Sequence, residues 1–170
     1  MFNGNNAFSD FRLRWKMKET KQQSWYFFWR SSFDNKKFEE DMNLLTTFYK
    51  NKGYRDFHFV SDSIEYSQDG GKMNIVLTVE EGPLYKYRNF SWEGMTLFDQ
   101  QILERTLALE KGKKYSDEDF NMAVFSRVQG LYLDRGYIYS RVEPKITPVE
   151  EDSLDIHFVI TENHKVYINN

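Results

Sequence analysis

The sequence predicts an α+β fold of two tandem units. Each has the order β-α-α-β-β and a three-stranded mixed sheet covered on one face by two helices. Three observations carry this reading. The first is an internal repeat: shifted by 83 positions, "YKNKGY" ending at Tyr54 superposes on "YLDRGY" ending at Tyr137, pairing Gly53 with Gly136 and Tyr49 with Tyr132. The second is a change of hydrophobic period at each junction. Met42, Leu45, Phe48 and Tyr49 recur at helical spacing before the first, as do Phe125, Val128, Leu131 and Tyr132 before the second. Strand-like alternation follows, with Ile75, Leu77 and Val79 matched at an offset of 81 by Ile156, Phe158 and Ile160. The third is turn chemistry. A glycine closes each second helix, "QDGG" separates the last two strands of unit one, and "EEDS" separates those of unit two.

Element by element, "FNGN" (2–5) and "WEGM" (92–95) each end a strand and lead into a helix. The first helices are "SDFRLRWKMKE" (9–19), capped by Ser9 or Asp10, and "DQQILERTLAL" (99–109), capped by Asp99. Ser116 caps the second helix of unit two, with Asp119 at the third helical position. The later strands are 56–67 and 73–82 in unit one, and 139–149 and 154–163 in unit two. The first strand of unit two is 85–92, and "VYINN" (166–170) resembles the same strand of a third unit. The expected boundaries are therefore 1–82 for the first domain, with its first strand largely truncated, and 83–163 for the second. Residues 164–170 begin a further one.

Connectivity orders the strands. The first and third are joined across two helices, which suits a parallel right-handed crossover. The hairpin makes the second and third antiparallel. The third is therefore central and the second lies at an edge.

Composition excludes several chemistries. The net charge of −3 provides no basic surface for nucleic acid. The absence of cysteine rules out disulfides, thiolate catalysis and thiolate metal sites. No apolar run approaches the roughly 20 residues of a membrane-spanning helix. His58, His157 and His164 show no metal-ligand spacing. Asp117, Glu118 and Asp119 fan around a helix start and cannot face one another as an acid/base pair. No catalytic, cofactor or metal site is expected.

Two features read as interaction surfaces. In the edge strand of unit one, Phe57 and Phe59 share one parity while Ile64 and Tyr66 share the other, which predicts a bulge or break between Val60 and Ser63. Such an edge either protects itself with the bulge or accepts a further strand. The candidate acceptor residues are Phe57, His58, Phe59, Val60, Ser61, Asp62, Ser63 and Ile64. Their counterparts in unit two are Tyr139, Ser140, Arg141 and Val142. Pro144 and Pro148 should make that second edge the poorer acceptor, since proline lacks the N–H. The other feature is "SWYFFWR", whose Trp25, Tyr26, Phe27, Phe28 and Trp29 either fold back on the domain or meet a partner. The central strand 73–82 has little of its own first strand beside it, leaving room for "KVYINN" of a second copy. Stacking of single-stranded nucleic acid on an aromatic sheet is a separate class, disfavoured by the acidic balance.

The ordered set of motifs resembles POTRA domains. The "GY" after the second helix is Gly53-Tyr54 and Gly136-Tyr137. The "EG" after the last strand is Glu81-Gly82, and the "GN" after the first is Gly4-Asn5. Unit two departs at two of the three, with Glu162-Asn163 and Gly94-Met95. The segment from Gly4 to Gly53 is seven residues longer than that from Gly94 to Gly136, and its aromatic insert resembles the third such domain of outer-membrane β-barrel assembly factors. The resemblance implies periplasmic, non-catalytic domains that receive unfolded outer-membrane proteins and hold accessory lipoproteins. It also implies adjacent POTRA domains and a C-terminal membrane barrel. Related transporters, of two-partner secretion, TamA-like or organelle-import type, carry the same domains and are the alternative.

Overall fold

The computed structural model describes residues 1–18, 35–66 and 73–166, with backbone only at 64–66 and 73–74. The elements of the first unit are β1 (Phe2–Asn3), α1 (Asp10–Lys16), α2 (Asn35–Lys50), β2 (His58–Tyr66) and β3 (Met73–Glu80). Those of the second are β4 (Lys86–Glu93), α3 (Gln100–Leu107), α4 (Asp117–Asn121), a π-helical segment (Met122–Val128), α5 (Gln129–Leu133), β5 (Arg141–Val149) and β6 (Ser153–Thr161). Contacts divide the chain into Met1–Lys50 with Asp56–Gly82, and Asn51–Arg55 with Pro83–Asn170. The hairpin turn expected at "QDGG" and the aromatic segment Trp25–Trp29 lie outside the described residues.

The sheets run β1-β3-β2 and β4-β6-β5, with the third strand of each unit central. β1 and β4 pair parallel with β3 and β6, whereas β2 and β5 pair antiparallel with them. In unit one β1 covers only Leu77 and Thr78 of the central strand, and the Met1 carbonyl accepts from the Leu77 N–H at 3.0 Å.

Alternation selects the buried faces. Leu154, Ile156, Phe158 and Ile160 of β6 are buried beneath Leu103, Leu107, Phe120, Val124, Val128 and Tyr132 of the helices. In unit one Leu77 and Val79 share a core with Leu13, Phe38, Leu45, Phe48 and Tyr49. The two expected caps of unit two are present: Asp99 accepts from the Ile102 N–H at 2.8 Å and Ser116 from the Asp119 N–H at 3.3 Å. The cap expected from Ser9 or Asp10 is not. Ser9 holds the N-cap position without a side-chain bond, and the Asp10 carboxylate turns back to accept from Phe2 N–H at 3.2 Å and Asn5 Nδ2 at 2.9 Å. Tying down β1 takes precedence there over capping.

The second helices differ by one residue. Phe38 and Tyr49 are buried eleven apart, whereas their counterparts Phe120 and Tyr132 are buried twelve apart. The π segment absorbs the extra residue, with the Gln129 N–H bonding the Val124 carbonyl five residues back. Both ends of that helix therefore keep their core contacts.

Candidate strand-docking site

β2 is the edge strand of unit one. Its register shifts between Phe59 and Ser61, placing Val60 as the extra residue of a bulge. That is the first residue of the stretch where parity predicted the break. Val60 is 57% exposed, whereas Phe57 is buried and stacks on Tyr49 at 3.9 Å. Phe57 thus precedes the strand and belongs to the core; Phe59 is half-buried against it at 5.2 Å.

Register decides which backbone groups of β2 face outward. Leu77 N–H and Ile75 carbonyl bond Met1, so the odd residues of β3 face β1 and the even ones face β2. Thr78 and Val76 lie opposite Ser61 and Ser63, which are therefore the inward pairs. Asp62 and Ile64 present their N–H and carbonyl groups away from β3. Neither is proline. His58 lies near the strand's start, its ring 3.0 Å from the Asp56 carbonyl and 3.4 Å from Glu80.

β5 is the counterpart in unit two, and its edge differs. Tyr139 and Ser140 precede the strand; Tyr139 is exposed, with its ring 5.4 Å from His164, and Ser140 is buried. The Val142 N–H points away from β6 and donates to Gln129 Oε1 at 3.0 Å. Gln129 Nε2 donates to the Ser140 carbonyl and hydroxyl, both at 2.8 Å. Arg141 pairs inward with Thr161. Residues 144, 146 and 148 share the outward parity of Val142, and two of these three are proline.

The motif residues build the frame behind these edges. Gly53 and Gly136 adopt φ of 101° and 86°, and their carbonyls each accept from a later N–H, Tyr85 and Val166, both at 2.9 Å. Tyr54 and Tyr137 are half-buried, whereas the first tyrosines of "YKNKGY" and "YLDRGY", Tyr49 and Tyr132, are buried in the core. Glu81 accepts from Ala7 N–H and from the Tyr49 hydroxyl at 2.9 Å. Glu162 accepts from Thr96 N–H, Leu97 N–H and the hydroxyls of Thr96 and Tyr132. Asn163, at φ 54°, stands where unit one has Gly82 at 68°. Asparagine tolerates the left-handed region better than most residues, which is why the departure from "EG" is harmless.

A family model described as surface antigen variable number repeat, POTRA, matches residues 1–82 and 85–163. The chain belongs to the POTRA family. Among curated proteins it is 33% identical over 171 residues to the outer membrane protein assembly factor BamA of Neisseria meningitidis, covering 99% of this chain and 21% of that protein. It is 27% identical to BamA of Nitratidesulfovibrio vulgaris, covering 77% of this chain and 17% of that one. The chain therefore spans about a fifth of the length of these relatives. A solved structure of POTRA domains 3–5 of Haemophilus influenzae BamA superposes with a TM-score of 0.73 at 23% identity, covering 97% of this chain and 65% of that one. These POTRA units thus share both sequence and fold with assembly-factor domains.

The structure also assembles a polar trio not foreseen in the sequence. Ser91 Oγ lies 2.9 Å from His157 Nδ1, and Glu93 Oε2 lies 3.0 Å from Nε2. Register produces it, since Ser91 sits beside His157 on the sheet face opposite the core. Its members resemble a nucleophile–base–acid set. β4 lies at the edge of its sheet, and a role in acyl transfer would further need donors aimed at a developing oxyanion. Among the described residues no group of three or more metal-ligating side chains converges, and no helix is long and apolar enough to cross a membrane.

Proposed function

We propose that this chain is a non-catalytic, periplasmic interaction module of an outer-membrane β-barrel assembly factor. Its β2 edge accepts an extended segment of an unfolded outer-membrane protein by β-augmentation. It also holds accessory lipoproteins, and the aromatic sequence Trp25–Trp29 is a candidate partner contact. The module acts beside adjacent POTRA domains and a C-terminal membrane barrel, with residues 1–82 and 83–163 as its two domains and 164–170 opening the next.

The observation that carries this reading is the edge of β2. Asp62 and Ile64 direct consecutive outward backbone groups, without proline, next to a bulged and exposed Val60. The names of the similar proteins supply the class of client. An incoming strand gains main-chain hydrogen bonds at Asp62 and Ile64, so affinity depends on their N–H groups more than on side chains.

Asp62→Pro tests it. That change removes an outward donor and leaves the inward pairs Ser61–Thr78 and Ser63–Val76 in place. Fluorescence anisotropy with a labelled peptide copied from an outer-membrane β-strand should show at least ~5-fold weaker binding, the loss of about one net hydrogen bond. Asp62→Ala should bind as the parent does. Unchanged binding by a folded Asp62→Pro chain would overturn the reading.

A further inference from the structure

The two edge strands occupy the same place in their units, yet among the described residues the side-chain clasp is found on β5 and not on β2. Gln129 holds the carbonyl of Ser140 and the N–H of Val142 at 2.8 and 3.0 Å. Those are an outward acceptor and donor two residues apart on one edge, the spacing at which a residue of an added parallel strand bonds, as Met1 bonds the Ile75 carbonyl and the Leu77 N–H in the first unit. A carboxamide presents N–H donors and a carbonyl acceptor in one plane, the same kinds of group that a neighbouring strand's backbone would offer. Gln129 thus stands in for a residue of a neighbouring strand.

Beyond the clasp, outward positions 144 and 148 are proline, which leaves Ile146 as the one remaining N–H on this side between 142 and 148. In unit one the position equivalent to Gln129, 83 residues earlier, is Thr46. Its hydroxyl is too short to cross to the edge, and it donates instead to the Met42 carbonyl at 2.9 Å. The positions equivalent to Ser140 and Val142 are Phe57 and Phe59, and no helix side chain of the described residues is bonded to the Phe59 N–H.

We infer that Gln129, with Pro144 and Pro148, is an intramolecular lock that denies the β5 edge to extended chains and thereby directs strand addition to β2. The inference rests on the strand-acceptor reading of β2. Gln129 sits at the end of the π segment, so the extra residue in that helix and the lock belong to one local design. An added strand would have to displace a bonded carboxamide before forming its first pair. It would then face two proline rings where it needs donors. Selectivity follows because the losses lie wholly on one edge.

The test compares the parent chain with Gln129→Met and with Gln129→Met/Pro144→Thr/Pro148→Thr. Methionine keeps the length and packing of glutamine without its hydrogen bonds. The probe is a synthetic ten-residue peptide alternating Tyr or Val with Thr. The readouts are backbone amide shifts and hydrogen exchange at Val142. In the parent, peptide-dependent shifts are expected at Asp62 and Ile64 and not at Val142 or Ile146. Gln129→Met should speed Val142 exchange at least ~5-fold, since its N–H loses a partner worth about one net hydrogen bond. The triple variant should gain saturable shifts at Val142 and Ile146. Gain at β5 without response at β2 would support the lock and sink the strand-acceptor reading. Response at β2 with none at β5 in a folded triple variant would sink the lock and spare that reading. Equal response of both edges in the parent would sink the lock as well. If the triple variant fails to fold, the single variant decides: unchanged Val142 exchange overturns the lock.

Discussion

The Tyr49 hydroxyl donates to the Glu81 carboxylate at 2.9 Å, and Tyr132 repeats the bond to Glu162 at 3.3 Å in the second unit. In both places the carboxylate also accepts backbone N–H groups of the loop between first strand and first helix: Ala7 in one unit, Thr96 and Leu97 in the other. One glutamate thus joins the last strand, the second helix and that loop. Tyr49→Phe should destabilise the first unit by about 1–2 kcal/mol, because the buried carboxylate oxygen loses a donor. Glu81→Ala should cost more, about 3 kcal/mol, by leaving several donors without an acceptor. Urea unfolding followed by amide exchange within each unit separates the two effects; equal stability of parent and Glu81→Ala would contradict the account.

The same carboxylate in unit two confers an acid-dependent term. Burial pushes the Glu162 carboxyl up, but hydrogen bonds from Leu97, Thr96 and Tyr132 outweigh it and hold the group below the usual glutamate range. A carboxyl whose folded pKa is depressed stabilises the fold fully above its unfolded value. That stability is lost as pH falls through the folded value. The second unit should therefore weaken as pH drops below the ordinary glutamate range, and Glu162→Gln should flatten that slope. Urea midpoints between neutral pH and pH 3 check it. An unaltered slope in the glutamine variant would assign the acid sensitivity to other carboxylates, such as Asp155, which Arg88 holds low.

Gly94 has φ of 81°, and a Cβ placed there would overlap the carbonyl oxygen of Ile160; Gly4 stands in the same relation to Val79. The close approach lets the chain leave the first strand across the end of the central one. Gly94→Ala should cost about 2 kcal/mol or more, since neither the backbone conformation nor the space suits alanine. Gly112, also at positive φ but with nothing within 4 Å of the added carbon, should lose less on the same change. Thermal melts of the two variants give the comparison directly.

The architecture was legible because local signals agreed with one another. The "GY" repeat, the helical and strand periods and the Asp99 and Ser116 caps all pointed to two copies of one connectivity, and the strand order follows from that. Residue-level features resisted where they depend on register or on distant partners. Parity in "FHFVSDSIEY" announced a break, yet only pairing with β3 locates it at Val60 and turns Asp62 and Ile64 outward. Phe57 read as part of the edge, but a stacked Tyr49 draws it into the core. Gln129 carried no signal at all, because its partners lie 11 and 13 residues away across a turn. Asp41 is likewise a buried carboxylate on an apolar face, accepting from the Lys18 N–H at 2.7 Å. Helical periodicity would have assigned that position to an apolar residue.

The one-residue surplus in the second helix makes the two units respond differently to deletion. Phe120 and Tyr132 are both buried with the π segment between them, so removing one exposed residue there lets the segment tighten to ordinary α-helix while both anchors stay in place. Deleting Ser126 should keep the fold and change stability by no more than about 1–2 kcal/mol. α2 has no surplus between Phe38 and Tyr49. Deleting Asn43 would rotate one half of that helix by about 100° against the other. It would swing either Phe38 or the group Leu45, Phe48 and Tyr49 out of the core, at a cost of about 3 kcal/mol or more. Backbone carbon shifts should show the Ser126 deletion gaining regular helix over 121–133, and denaturation should show unit one losing its transition in the Asn43 deletion. If both deletions cost the same, the extra residue is not what the π segment accommodates.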